Sequence, residues 1–578
     1  MVDGAVLLSH LPQRIQRRRV VGRFGLALCG ELGLLSLVTS FPLGLGLDEP
    51  ALLYGCGGRN ADHEAKQNGY EDIQRCRSFA LGFRRLGEAR GDDVASCLPC
   101  LPLAAIAKIG KTGRDPLPLI REPTLSSRTI TEPARQIPLY GEYEVVVLGG
   151  GPAGIAAAVA AARAGRRTLL IERYGFLGGM GTAAGVTNFC GLHANVHGEM
   201  HRVVQGIASD LLARIDRLGG LNAPHLILGK ILAQAYDTAA YKIAADDLLG
   251  ACKVDMLFHA LGAGAVMHDD KRINALMVET KAGRRAVAAD IFIDCSGDGD
   301  LAAWAGAPFE VGDHDGHLLY PSMMFRLNGI DPEKAGEAWR TIPALMEKAE
   351  AEGTHKFPRR GAIVRPQRSG IEWRVNFTQL KRNDGSAING LEPDDLTRGE
   401  IDGRRQAIQA FEFLRTVPGF EKSYIVDLPP QLGIRETRRV VGGYMLSGED
   451  VLGCASFDDS IGVNGWPMEV HVAGDVIFKF PPIPESRGFN ELPYRMLLPQ
   501  GIDNLLVAGR CASMTHDGQS AARVSGACFA MGEAAGTAAA LALSGNTIPR
   551  DIAPEKLQQA LRQQGAFIGR DQSVPEGL

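Results

Sequence analysis

Gly149-Gly150-Gly151-Pro152-Ala153-Gly154 is the stretch that decides the fold. It follows the apolar run Tyr143-Glu144-Val145-Val146-Val147-Leu148 and precedes an alanine-rich segment from Ile155 to Arg163. A second apolar run, Thr168-Leu169-Leu170-Ile171, ends at Glu172. Strand, glycine turn, helix, strand and acid stand in the order a dinucleotide fold requires. Gly149 permits the tight turn out of the strand, Gly151 lets a pyrophosphate approach the backbone, and Gly154 lets the helix pack close to the sheet. The free N–H groups and the positive end of the helix dipole then face the phosphates. Glu172 would accept hydrogen bonds from the adenosine ribose hydroxyls. An ordinary βαβ turn with a surface glutamate is the plainer alternative.

The next segment, Arg173-Tyr174-Gly175-Phe176-Leu177-Gly178-Gly179-Met180-Gly181-Thr182, carries a second glycine cluster. Such clusters commonly mark flexible loops. So close to a ribose acid, however, this one resembles the extended signature of FAD-binding flavoproteins. Two later segments read the same way. Ala289 to Asp294 is a strand, followed by Cys295-Ser296-Gly297-Asp298-Gly299-Asp300, which resembles the strand-to-turn element that flavoproteins place beside the cofactor. Asn504-Leu505-Leu506-Val507-Ala508-Gly509-Arg510 is another strand and turn. After it come Thr515-His516-Asp517-Gly518, then Arg523-Val524-Ser525-Gly526-Ala527-Cys528 and a small-residue helix, Met531 to Leu541. A helix starting near Ser525-Gly526 would aim its N-terminus at the N1–C2=O edge of a flavin and favour the anionic reduced state.

On these residues the chain resembles the FAD-dependent oxidoreductase family, whose members share the FAD-binding fold of the glutathione-reductase class. Glu132-Pro133-Ala134-Arg135-Gln136-Ile137-Pro138, Gly433-Ile434-Arg435-Glu436-Thr437-Arg438-Arg439 and Gly509-Arg510-Cys511 carry the resemblance further, from about residue 130 to about residue 545. It implies an α/β, Rossmann-type three-layer FAD/NAD(P)-binding domain interrupted by a substrate or cap domain, and FAD as cofactor. The implied cofactor-binding residues are Gly149, Gly150, Gly151, Pro152, Ala153, Gly154, Glu172, Arg173, Gly178, Gly179, Thr182, Gly262, Gly297, Asp298, Gly509, Arg510 and Gly526. The resemblance names no substrate.

At 578 residues the chain exceeds one compact core. A hydrophobic content of 45% and a charged content of 22% are those of a globular protein. A net charge of −4 argues against nucleic acid as partner. The 11 cysteines form no framework spacing, so free thiols and a reducing, cytoplasmic compartment are expected.

Residues 1 to about 125 differ from the rest. Arg14, Arg17, Arg18 and Arg19 precede an apolar stretch from Phe24 to Leu47, the outline of a signal or twin-arginine leader. Glu31 and Pro42 interrupt that stretch, which disfavours both a leader and a membrane span. The region reads as a poorly ordered extension from a gene start placed too far upstream. Cys97-Leu98-Pro99-Cys100 has CxxC spacing but no partner ligands and no βαβ context, so it reads as coincidence. The FAD domain is expected over residues 140–310 and again over 491–545, with the substrate or cap domain over 311–490 and a tail over 546–578. Helices are expected over Tyr241–Leu249, Lys334–Arg340, Arg404–Leu414 and Pro554–Gln563. Strands are expected at Glu372–Phe377 and within Met256–Ala288, the latter with a hairpin turn at Asp269-Asp270-Lys271.

Gly262-Ala263-Gly264-Ala265 lacks a third glycine, so no dedicated NAD(P)H domain is expected. The substrate itself would then reduce the flavin, and electrons would leave to an external acceptor. His516 is the candidate acid/base or cation near the flavin. Arg523 would bind a substrate carboxylate or the flavin O2. Cys190 would be a redox thiol or simply a small buried residue. His193, His197, His471 and Tyr494 are weaker candidates. Arg435 to Arg439 would be a substrate clamp or a structural ion-pair network. No metal is implied, and the oligomeric state stays open between monomer and homo-oligomer. Two other readings compete: an NAD(P)H-dependent flavin monooxygenase, and an electron-relay flavoprotein subunit without turnover of its own.

Overall fold

The computed structural model describes residues 129–577. The arginine-rich leader-like segment and Cys97-Cys100 lie outside the described residues.

The chain enters the first sheet at strand β1 (Leu139–Leu148), turns through the glycines into helix α1 (Pro152–Arg163), and returns as β2 (Thr168–Ile171). Pro152 sits in the first turn of α1, where its missing N–H costs nothing. Alanine has the highest helix propensity, and Ala153 to Ala161 are all buried. Helix α2 (Thr238–Ala251) leads to β3 (Asp255–Leu257), and a meander follows: β4 (Leu261–Asp269), β5 (Arg272–Thr280) and β6 (Gly283–Asp294). The order across the sheet is β3-β2-β1-β6-β5-β4. The β1–β2, β1–β6 and β2–β3 pairs are parallel, whereas the meander is antiparallel. Gly262 and Gly264 lie on β4, in the meander rather than at a strand-to-helix turn.

The second sheet comprises β7 (Met324–Asn328), β8 (Ile363–Pro366), β9 (Trp373–Asn376) and β10 (Tyr424–Asp427), in the order β8-β9-β7-β10. Successive residues of a strand point to opposite faces. Phe325, Leu327, Val364, Trp373 and Val375 therefore enter a second hydrophobic core, where helices α3 (Ala338–Ala351) and α4 (Pro393–Leu414) contribute Ile342, Met346, Phe411 and Phe413. Burying each such side chain stabilises the fold by about 1.5–3 kcal/mol. Their alternates, Met324, Ile363, Arg365, Arg374 and Asn376, line a cavity instead. The helix expected over Lys334–Arg340 is broken: Gly336, at φ +45°, ends a short helix at Ala335 before α3 begins.

The chain then completes the first sheet. Strand β11 (Leu505–Val507) adds in parallel to β6, with Phe292 opposite Leu505. Helix α5 (His516–Ala522) and helix α6 (Ser525–Gly545) follow. A Cβ at Gly532 would fall 2.0 Å from Ala153 O, and one at Gly536 would fall 2.1 Å from Ala157 O, so α6 and α1 touch backbone to backbone. Among the described residues, α6 is the one helix long and apolar enough to cross a membrane, and 83% of its apolar window is buried in the protein. The architecture is a mixed α/β fold built on a sheet with a parallel core.

Candidate active site

A cavity of about 600 Å3 lies between the two sheets. Its first wall is backbone. Strands β1, β2, β6 and β11 all run parallel and deliver their C-terminal ends to it, where ligands of open α/β sheets bind. Gly149 to Ala153, Glu172 to Tyr174 and Gly179 to Gly181 line it, joined by Ser296, Gly297, Gly509 and Arg510. Gly149 has φ +102°, and a Cβ there would fall 2.4 Å from Cys295 O. A Cβ at Gly154 would fall 1.8 Å from Gly149 O, so this glycine serves the close approach of α1 to the turn. Gly151 differs: a Cβ there would have a single neighbour, Gly179 Cα at 3.7 Å. The space it leaves opens to the cavity. The second glycine cluster folds back on the first, Gly178 N–H donating to Gly150 O at 2.8 Å, and Thr182 Oγ1 donates to Leu177 O at 2.7 Å. Glu172 is 6% exposed and accepts from Gly150 N–H at 2.7 Å and Tyr174 N–H at 3.0 Å. Helix start, open glycine and anchored acid suit the diphosphate and ribose of FAD.

Behind this wall Asp298 accepts from Arg510 at 2.8 Å and from Thr437 Oγ1 at 2.9 Å. Burial pushes its carboxyl upward, but Arg510 and Arg173 outweigh burial and hold it below the usual range. Asp300, on the cavity, is raised to about 6 by burial and by the nearby Asp298 and Asp294.

The second wall is made of side chains. Arg359, Arg365, Arg374, Arg435 and Arg523 line it, with Glu469, Trp339, Trp466 and Phe478. Glu469 accepts from Trp466 Nε1–H at 2.9 Å and from His471 Nε2–H at 2.9 Å. Burial would raise Glu469; His471, Arg523 and Arg435 together bring it down to about 2. Burial and Arg435 keep His471 neutral, so it is a hydrogen-bond donor to a permanent carboxylate. Arg435 donates to Tyr320 O at 2.7 Å and Ser322 Oγ at 2.8 Å. Desolvation lowers Arg435 to about 9, and Arg359 and Arg374 to about 10.

The sequence profile of the FAD dependent oxidoreductase family matches residues 144–561, most of the chain. The chain belongs to the FAD dependent oxidoreductase family. FAD is its cofactor, and the protein is an oxidoreductase. Dihydrolipoyl dehydrogenase of Trypanosoma brucei brucei is 49% identical over 45 residues, which span 8% of this chain and 9% of that enzyme. Solved structures similar to this flavoprotein include a geranylgeranyl bacteriochlorophyll reductase-like protein from Thermoplasma acidophilum, with 14% identity, coverage of 74% of this chain and 84% of that one, and a TM-score of 0.38. The p-nitrophenol 4-monooxygenase of Pseudomonas putida has 13% identity, coverage of 72% and 83%, and a TM-score of 0.36.

The oxidoreductase brings most of the sequence candidates to this cavity, but not all. Gly154, Gly178, Thr182, Asp298 and Gly526 shape its frame without lining it. Gly526 N–H is taken by Cys190 O at 2.9 Å, so one donor of the α6 N-terminus is satisfied by protein. His516 is displaced from its expected role. It begins helix α5 rather than standing in a loop, bonds Glu436 at 2.9 Å, and is not a lining residue. Glu436 also pairs with the buried Arg439 and accepts from Leu319 N–H at 2.9 Å. Of the Arg435–Arg439 segment, Arg435 therefore faces the cavity, while Glu436 and Arg439 form a buried ion pair to which His516 is hydrogen-bonded.

Cys190 lines the cavity, yet burial pushes its thiol up to about 12, so it is no thiolate nucleophile at neutral pH. His193 is buried, is lowered to about 4 by desolvation and Arg202, and does not line the cavity. His197 sits in a hairpin turn at φ +50°. Tyr494 donates to Pro549 O at 2.8 Å, outside the lining. Arg523 does line it. Sequence reading missed Arg359, Arg365, Arg374, Glu469 and His225. The available signal was an arginine inside the Trp373-Arg374-Val375 strand, where both neighbours are core residues.

Proposed function

We propose that the protein oxidises a small organic molecule by hydride transfer to FAD, with electrons passed on to an external acceptor in a cytoplasmic setting. The observation that carries this reading is the continuity of the cavity. One space is bordered by the glycine-built wall and by the arginine-bearing face of the second sheet, with Trp339 of α3 and Trp466 beside it; the second sheet acts as the substrate domain. Gly149 to Gly151 and the first turn of α1 would hold the diphosphate, Glu172 the ribose, and Arg510, fixed by Asp298, the region beyond Gly297. When bound, FAD supplies the acceptor for a hydride. The protein's own part is to orient and to exclude water. Trp339, Trp466 and Phe478 offer apolar area to a substrate. Glu469 remains ionised and offsets the charge of Arg523 and Arg435, while Arg523 donates to its main-chain O at 3.3 Å.

Anaerobic mixing of the FAD-loaded protein with a substrate panel, following loss of the flavin's visible absorbance, tests this. Bleaching by an organic substrate without NADPH is expected. Bleaching by NADPH alone would instead support the monooxygenase reading. Turnover only after addition of a second protein would make it a relay subunit.

A further inference from the structure

Three arginines stand side by side across the second sheet. Arg365 on β8 is opposite Arg374 on β9, and Arg374 is opposite Arg326 on β7. Like charges directly opposite destabilise a sheet, so each needs an account. Arg326 has one: Glu372 lies at 2.8 Å and Asp427 at 3.2 Å. Arg365 lies over the Trp339 ring, 5.2 Å from its centroid. Arg374 has none. It is 2% exposed, lines the cavity, and its Nη1 has no hydrogen-bond partner. Its Nη2 donates to His225 Nε2 at 3.2 Å. That bond requires the neutral His225 tautomer with hydrogen on Nδ1, and burial beside Arg374 and Arg365 lowers His225 to about 4. The charged groups that act on Arg374 include Arg365 but no carboxylate. Glu469 is already shared by Arg435, Arg523 and His471. A buried guanidinium left unpaired is costly, and such a charge ordinarily has a counter-ion.

We propose that the missing counter-ion is the substrate, a small organic carboxylate whose carboxylate group pairs with the Arg374 guanidinium, with Arg365 alongside. This rests on the reading that the second wall binds substrate. A single free Nη beside a neutral histidine matches a monoanion, and the tryptophan and phenylalanine lining matches an apolar body attached to it.

Titration calorimetry of the FAD-loaded full chain tests the assignment, with benzoate, phenylacetate and hexanoate against their amides, and with phenyl phosphate. At least one acid is expected to bind at least about tenfold more tightly than its amide. Arg374→Gln is expected to weaken that acid about 100-fold, the cost of removing one partner of a buried charge pair, and to leave the amide within about twofold. Arg365→Gln is expected to weaken the acid about tenfold by the same logic at a more exposed site, and it serves if Arg374→Gln does not retain FAD. No acid binding, equal binding of acid and amide, tighter binding of phenyl phosphate, or acid affinity unmoved in these variants each overturns the proposal. An acid that binds with this selectivity but never bleaches the flavin sinks the hydride reading and leaves the carboxylate site standing. Neutral molecules that bleach it equally well in Arg374→Gln do the reverse.

Discussion

The two walls of the cavity are made from different materials. The first is main chain: glycines whose absent side chains leave room, N–H groups at a helix start, and one anchored acid. The second is side chain: arginines, tryptophans and the Glu469 and Asp475 carboxylates, mounted on strands, loops and one helix. A backbone wall needs particular residues at fixed spacing, because only glycine accepts φ +102° at Gly149 or the 1.8 Å approach at Gly154. A side-chain wall needs only that the right residues arrive from anywhere in the fold.

Substitutions can separate the walls. The largest effect is expected at Gly154. Gly154→Ala drives a Cβ into Gly149 O and should remove bound FAD and lower stability by about 1–3 kcal/mol, read as flavin content and Tm. Gly151→Val sharpens the contrast. Its Cβ meets only Gly179 Cα at 3.7 Å, so the ligand-free protein should keep its Tm while FAD affinity falls at least about 100-fold, the scale of a lost close diphosphate contact. Arg374→Met should do the opposite: FAD retained, and the Tm of the substrate-free protein unchanged or higher, since an unpaired buried charge is removed. A fall of several degrees in that variant would show Arg374 to be structural and break the comparison.

Glu533 marks what lies outside both walls. Burial raises its carboxyl to about 7, although Ile207 N–H donates to it. A carboxyl raised on folding favours the folded state fully below the ordinary glutamate range, and that contribution is lost as pH climbs through about 7. Glu533→Gln should therefore raise Tm at pH 8, by up to about 3 kcal/mol of stability, and flatten Tm between pH 5 and 8. The smallest effect is expected at His516. His516→Gln removes one bond to Glu436, worth about 1 kcal/mol, and should leave KM within about twofold because Arg439 still pairs with Glu436. A large rise in KM would return His516 to the substrate site.

This contrast also explains what could be read in advance. Gly149–Gly154, Glu172 and Gly178-Gly179 announce themselves because local backbone geometry dictates them. The β6 and β11 strand ends were legible from apolar runs followed by glycine. Arg374 was visible as a strand residue, but period two alone does not say which face meets helices and which meets a cavity; Phe411 and Phe413, remote in sequence, decide that. His516 misled because its nearness in sequence to β11 and α6 does not fix its direction, and the buried Glu436 carboxylate claims the ring.

The pairing of Phe292 with Leu505 has a consequence for biosynthesis. The first sheet gains its last parallel strand, and α1 its partner α6, only after the whole second sheet has been made. A nascent chain leaving the ribosome carries the complete glycine turn early but cannot close the floor beneath it until α6 emerges. Capture of the flavin should thus be a late, post-translational event, and chains stalled before Leu505 should reach the cell's chaperones empty-handed.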